Sequence, residues 1–127
     1  MKIKILIFSL VISFGAIAGN RSFNCTINKV YNINSLGEIE LAGPAVLRIN
    51  DTFNVDRRSG VIVGERIPIF RPDKFSVLAE GIDGNAFVVS YSAKTQVSFL
   101  RIENYRNTKR APFLLQDGIW ISTGLCD

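Results

Sequence analysis

Apolar and polar residues alternate along most of the chain after residue 22, which is the pattern of β-strands with one buried face. The clearest case is the segment 23–33, where the even positions 24, 26, 28 and 32 are polar. Its odd positions are apolar with Lys29 as the one interruption: Phe23, Cys25, Ile27, Tyr31 and Ile33. We therefore expect these five side chains to share the buried face of one strand.

Seven further segments have the composition of strands, and turn residues separate them. They are 47–55, 61–63, 75–79, 87–91, 96–105, 113–115 and 119–123. The short polar segment Asp56–Gly60 predicts a hairpin, with Gly60 supplying a positive φ. An apolar stripe of helical period is not sustained after the N-terminal segment. The pattern predicts an all-β protein, a single compact antiparallel β-sandwich or small barrel of seven or eight strands, and leaves the choice between the two open.

The first 18 residues have the pattern of a cleaved signal peptide. Lys2 and Lys4 precede the apolar run Ile5–Ala18, which ends in the small-x-small sequence Ala16-Ile17-Ala18. The run is shorter than the roughly 20 apolar residues that span a bilayer, and no later stretch is long or apolar enough. We expect residues 1–18 to be removed and 19–127 to form a single β domain in the periplasm or outside the cell, with no membrane span.

The two cysteines stand near opposite ends of this domain. In an exported protein an even number of cysteines indicates disulfides, and Cys25 and Cys126 allow only one intramolecular pair. Their spacing is unlike that of a redox-active Cys-x-x-Cys pair. We expect a structural disulfide that closes a loop of about 100 residues, worth about 4.7 kcal/mol in the chain-entropy model.

Composition excludes several functions. The chain has no histidine, which rules out Ser-His-Asp and Cys-His catalytic sites and imidazole metal ligands. Half of the formal charge of +4 belongs to Lys2 and Lys4, so we expect no nucleic-acid partner. No motif indicates a cofactor or a metal, and we expect neither. A carboxylate-based hydrolase stays open, because distant acids can meet in a fold and Glu38 and Glu40 share a strand face.

The most distinctive polar segment is basic and aromatic. Five candidate binding residues fall within ten positions: Arg101, Tyr105, Arg106, Lys109 and Arg110. We expect Arg101, Glu103 and Tyr105 to share one strand face. Arginine and tyrosine are typical of protein interfaces and of anion recognition. The alternative interpretation is an edge strand whose charges prevent aggregation.

Three other residues are candidates for binding. Arg57 and Arg58 lie on the predicted hairpin tip, and loop tips on rigid scaffolds often bind partners. Trp120 alternates with Ile119 and Ile121, so it either anchors a partner at the surface or belongs to the core.

Two sets of residues carry a resemblance to known proteins. One set comprises Phe53-Asn54-Val55-Asp56-Arg57-Arg58-Ser59-Gly60 and Gly64; the other comprises Ala111-Pro112-Phe113-Leu114-Leu115, Asp117-Gly118, Thr123-Gly124 and Cys126. Together they resemble small exported proteins of Gram-negative bacteria of uncharacterised function. The resemblance implies an exported location and brings no catalytic residues with it.

These observations favour an exported, non-enzymatic binding module. It would present a β surface to a protein or an anionic envelope partner, as an inhibitor or immunity-type protein does, and act as a monomer or weak dimer. A small barrel carrying an apolar ligand is the alternative, and a carboxylate-based hydrolase ranks below it.

Overall fold

The computed structural model describes residues 21–43, 49–64, 72–82, 84–104 and 109–127. These residues form nine strands and no helix: β1 (Ser22–Ile33), β2 (Ile39–Leu41), β3 (Thr52–Asp56), β4 (Ile62–Gly64), β5 (Lys74–Glu80), β6 (Phe87–Ser92), β7 (Val97–Ile102), β8 (Ala111–Asp117) and β9 (Trp120–Cys126). The all-β prediction is confirmed. β2 is an additional short strand that the sequence pattern did not predict. Within the described ranges, no helix has the length and apolar character needed to cross a membrane.

All strand pairs are antiparallel and belong to one sheet, in the order β4-β3-β1-β9-β8-β7-β6-β5, with β2 also paired to β1. The sheet curls into an open half-barrel. The curl brings the ring of Phe23 on β1 within 5.1 Å of the ring of Phe87 on β6, although three strands separate β1 from β6 in the sheet. On the side where Phe23 meets Phe87, Gly60, whose φ is +76°, lies against Val77 on β5 and Val89 on β6. The sheet therefore encloses its own core by side-chain packing.

The concave inner face is the hydrophobic core. Successive strands place alternate residues on this face, and cross-strand pairs align them in rows such as Phe87, Ile102 and Phe113. Phe53 and Phe113 meet edge to face with ring centroids 5.2 Å apart. Large aromatic side chains from β3 and β8 therefore meet across the concave face.

A β-bulge between Ile27 and Lys29 changes which side chains of β1 face the core. Before the bulge, odd-numbered residues are buried as predicted; after it, Val30 is buried and Tyr31 and Ile33 lie on the convex outer face. The prediction that Tyr31 and Ile33 share the buried face is wrong, because the extra residue Asn28 shifts the alternation by one position. Lys29, the interruption in the pattern, marks the place of the bulge.

Two predicted strands begin or end elsewhere. β3 starts at Thr52, and Ile49 before it is exposed, because Asn50 has a left-handed φ of +69° that interrupts the extended chain. β7 ends at Ile102, so the predicted strand 96–105 is shorter at its C-terminal end. Phe53 and Val55 are buried as the alternation predicts.

The predicted disulfide is present between Cys25 and Cys126. The two residues are direct partners in neighbouring strands β1 and β9, and both are buried in the core. The bond joins positions 101 residues apart in sequence, so it fastens the first strand of the domain to the last. Such a bond is consistent with an oxidising compartment.

One row of the inner face is polar and adjoins the core at the end where β8 turns into β9. It contains Tyr91, Ser98 and Asp117, which are paired across β6, β7 and β8. The hydroxyl of Ser98 and the amide of Gln96 both donate hydrogen bonds to Oδ1 of Asp117. The Tyr91 hydroxyl is buried and has no hydrogen-bond partner among the described residues.

We expect Tyr91→Phe to stabilise the protein, because a buried hydroxyl without a partner costs about 1–3 kcal/mol. Burial raises the pKa of Tyr91 above its ordinary value, so the folded state holds this proton more tightly than the unfolded state does. Below a pH of about 10 the ionisation of Tyr91 therefore leaves the free energy of unfolding unchanged, and above that pH the free energy of unfolding decreases. Urea denaturation at pH 7 and pH 11 should show a higher midpoint for Tyr91→Phe and a smaller alkaline loss. Tyr31→Phe, on the outer face, is the control; equal behaviour of the two variants would contradict the expectation.

Candidate functional site

The two predicted basic loops lie at the same end of the sheet. Ser22 pairs with Asp56, Cys25 with Cys126, and Ile102 with Phe113, so the loops β3–β4 and β7–β8 leave the sheet on the same side. We call this side the basic end; its basic residues in the described ranges are Arg21, Arg57, Arg58, Lys109 and Arg110. The topology thus brings the pair Arg57 and Arg58 to the same end as Lys109 and Arg110, about 50 residues further along the sequence.

Several cations at the basic end make contacts within the fold. The guanidinium of Arg57 lies 4.7 Å from the centroid of the Phe23 ring, a cation–π contact at the edge of the core. Nε of Arg110 donates to Oδ1 of Asp127 at 2.8 Å, and both side chains are largely exposed. Exposed ion pairs of this kind add little stability. Arg58 and Lys109 are exposed.

The hairpin that carries Arg57 and Arg58 is organised by Asp56. Its Oδ1 accepts hydrogen bonds from the backbone N–H of Ser59 at 2.7 Å, from the Ser59 hydroxyl at 2.9 Å and from the backbone N–H of Arg58 at 3.0 Å. These bonds, led by the backbone N–H of Ser59, hold the pKa of Asp56 below its usual value. The ionised carboxylate of Asp56 therefore fixes the backbone of the turn, and the backbone positions of Arg57 and Arg58 are fixed with it.

Tyr105 and Arg106 lie outside the described residues, so the predicted alignment of Tyr105 with Arg101 and Glu103 stays a prediction. Arg101 and Glu103 do lie side by side, since Nε of Arg101 and Oε1 of Glu103 form an ion pair, but β7 ends at Ile102 and Glu103 follows the strand.

Arg101 lies on an interior strand of the sheet. β7 is paired on one side with β6 and on the other with β8, so Arg101 does not protect an edge. The interpretation of this cation as an edge-strand guard is therefore wrong. Its side chain, 53 % exposed, projects from the convex outer face beside Glu103. The charge at this position needs another explanation.

Arg101 lines a groove of about 520 Å³ on the outer face that crosses β7, β8, β9 and β1. Cross-strand pairing sets its floor as one row: Arg101 pairs with Leu114, Leu114 with Thr123, and Thr123 with Lys29. Among the described residues its lining is Asn28, Lys29, Tyr31, Arg101, Glu103, Pro112, Phe113, Leu114, Thr123 and Gly124. The volume lies in the range of ligand pockets.

The β-bulge at Asn28 creates this groove. It turns Lys29 and Tyr31 to the outer face, where they join Thr123 and Leu114. The row then has a cation at each end, Lys29 and Arg101, with a hydroxyl and an apolar side chain between them. Lys29 was not among the predicted binding residues; its interruption of the apolar alternation was the available signal.

Trp120 belongs to the inner side of the sheet. It pairs with Asp117 on β8 and with Asn32 on β1, is half-buried, and packs against the hydrophobic core. These contacts favour the interpretation as a core residue over that of a surface anchor.

Glu38 and Glu40 come close together at the end of the sheet opposite the basic end. The amide of Asn34 donates to Oε2 of Glu38 at 3.2 Å and to Oε2 of Glu40 at 3.4 Å. Both acids are exposed, and their partners are amides on the same surface. The arrangement is typical of a solvated surface and lacks the enclosure in which paired carboxylates cleave glycosidic bonds.

Comparison with protein-family models, with curated proteins and with solved structures finds no match for the chain.

Proposed function

We propose that this protein is an exported, non-enzymatic binding module that uses the outer-face groove to hold an acidic segment of a protein partner. The single observation that carries the proposal is the row of Lys29, Thr123, Leu114 and Arg101 across four strands. The disulfide and the predicted signal peptide support an oxidising location, in the periplasm or outside the cell. Inhibition of a hydrolase or immunity to a toxin is a concrete form of this activity.

The chemistry of the groove supports a protein partner over a simple anion. Arginine and tyrosine are enriched among the residues that dominate protein interfaces, and here Arg101 and Tyr31 lie beside the apolar Leu114. A partner that fits offers a carboxylate next to an apolar side chain. The sheet fixes the backbone of the groove residues before binding, so only side-chain conformational entropy is lost there in complex formation.

The basic end is the second part of the proposed surface. Arg58 and Lys109 are exposed there, and positive charge on a surface speeds the approach of an acidic partner. We therefore assign the groove to affinity and the basic end to the rate of association.

Replacing both groove cations, Lys29→Gln with Arg101→Gln, is expected to weaken partner binding by about 2 kcal/mol, or about thirtyfold in Kd. The measurement uses a library of peptides that pair Asp or Glu with Leu, Phe or Trp, followed by calorimetric titration of the best binder and of proteins captured from envelope extracts. Lys94→Gln is the matched control, because Lys94 is exposed and lies in the β6–β7 turn, outside the groove. The proposal is overturned if no acidic peptide or captured protein binds, or if the double variant binds as tightly as Lys94→Gln.

A further inference from the structure

The outer face carries an apolar patch between the groove and the end of the sheet opposite the basic end. Its members are seven large apolar side chains on β1, β2, β7 and β9. Three are half-buried: Tyr31, Ile33 and Ile121. The other four are 41–65 % exposed: Ile39, Leu41, Val97 and Phe99. Ile119, in the β8–β9 turn, is 52 % exposed and adjoins the patch, because its carbonyl accepts a hydrogen bond from the N–H of Ile33. Scattered exposed apolar residues are ordinary, but a contiguous patch of this size indicates an interaction surface.

Strand register makes the patch contiguous. One row runs from Leu41 through Tyr31 and Ile121 to Gln116 and Phe99, five direct cross-strand neighbours in succession. A second, shorter row places Ile39 beside Ile33. Neighbours in such a row have Cβ atoms about 5 Å apart, so their side chains touch. The bulge at Asn28 is again the cause, because it turns Tyr31 and Ile33 outward to join the residues of β2.

We propose that two copies of the chain associate through this patch, outer face against outer face. Charge favours a second copy: neither row contains a charged residue, and Lys74, in the row of Val97, lies two strands away on the edge strand β5. The centre of the patch therefore meets a second copy of itself without opposing like charges. The nearest cations on the face, Lys29 and Arg101, lie in the adjacent row on the groove side. A twofold axis that runs across the strands keeps these cations of the two copies on opposite sides of the interface.

The size of the patch fits a weak association. Its seven members are fewer than the roughly 20–30 residues that each partner contributes to a standard interface. The association is therefore reversible and depends on concentration.

Sedimentation equilibrium of the purified exported protein, from about 1 µM to about 1 mM, tests the proposal. We expect the mass to rise with concentration from that of one chain to that of two. Leu41→Glu and Val97→Glu, at positions 62 % and 50 % exposed, should each raise the dimer Kd at least tenfold with the fold intact by circular dichroism. Leu78→Glu is the matched control: Leu78 is 60 % exposed on the edge strand β5, outside the patch, and this variant should dimerise like the unmodified protein.

The outcomes separate this inference from the groove proposal, on which it does not rest. The double variant Lys29→Gln with Arg101→Gln should dimerise normally. Monomers at every concentration would overturn the dimer, and so would a Leu78→Glu variant as impaired as Leu41→Glu. Binding of the monomer to phosphatidylglycerol vesicles, lost in Leu41→Glu, would overturn it in favour of a lipid surface.

Discussion

Replacing Cys25 and Cys126 together by alanine is expected to lower the free energy of unfolding by about 4.7 kcal/mol. The bond joins positions 101 residues apart, and in the chain-entropy model closing a loop of that size removes entropy from the unfolded state and so raises its free energy by this amount. Small domains have total stabilities of about 5–15 kcal/mol, so the variant should be marginally folded. Urea denaturation followed by tryptophan fluorescence measures the difference, because Trp120 packs against the core near the β8–β9 turn.

Reductant provides the control for this prediction. It should destabilise the unmodified protein by about as much as the double substitution does, and should leave the double variant unchanged. If the double variant unfolds at the same urea concentration as the oxidised protein, β1 and β9 are held together by pairing and packing alone. The bond would then contribute nothing measurable to the stability of the domain.

The sequence predicts side-chain faces well where strands are regular. In β6 and β7 the pairing runs without interruption from Phe87 with Ile102 to Ser92 with Val97, and the residues that alternation places inside, such as Val89 and Tyr91, are buried. A regular strand has a strict period of two, so one apolar face in the sequence is one face in the sheet.

The prediction fails at the bulge in β1. The position of a bulge depends on how the strand aligns with its neighbour, and here Ile27 pairs with Gly124 while Lys29 pairs with Thr123. This alignment joins the two ends of the domain and is absent from any local window of sequence. The error matters, because Tyr31 borders the groove and both Tyr31 and Ile33 belong to the apolar patch.

Only part of the candidate site could be predicted, because the rest depends on which strands are neighbours in the sheet. Residue chemistry identified Arg101 as a candidate, and the structure places it in an ion pair with Glu103, which follows the end of β7. The place of β7 in the interior of the sheet follows from strand order, which also decides that Lys29 stands in the same row as Arg101. Likewise, the choice between sandwich and barrel depends on the curl that brings Phe23 to Phe87, a contact between strands that are not neighbours.

The same bulge leaves a position where only glycine fits. Gly124 lies on the inner face opposite Ile27, and a Cβ added there would stand 1.9 Å from the carbonyl oxygen of Thr26 and 2.8 Å from Cε1 of Phe113. The first of these atoms belongs to the backbone of β1, which cannot move without breaking its pairing with β9. Gly124 thus allows β1 and β9 to approach closely beside the bulge.

Gly124→Ala is therefore expected to destabilise the protein by about 3 kcal/mol or more, at or above the upper end of ordinary overpacking effects. Thermal and urea denaturation of the oxidised protein measure the loss. Gly43→Ala is the matched control, since a Cβ at Gly43 meets nothing within 4 Å, and its effect should stay within about 0.5 kcal/mol. If Gly124→Ala unfolds like Gly43→Ala, β1 and β9 do not pair as closely as described. The alignment that turns Lys29 and Tyr31 outward would then be wrong, and both the groove and the apolar patch would be lost with it.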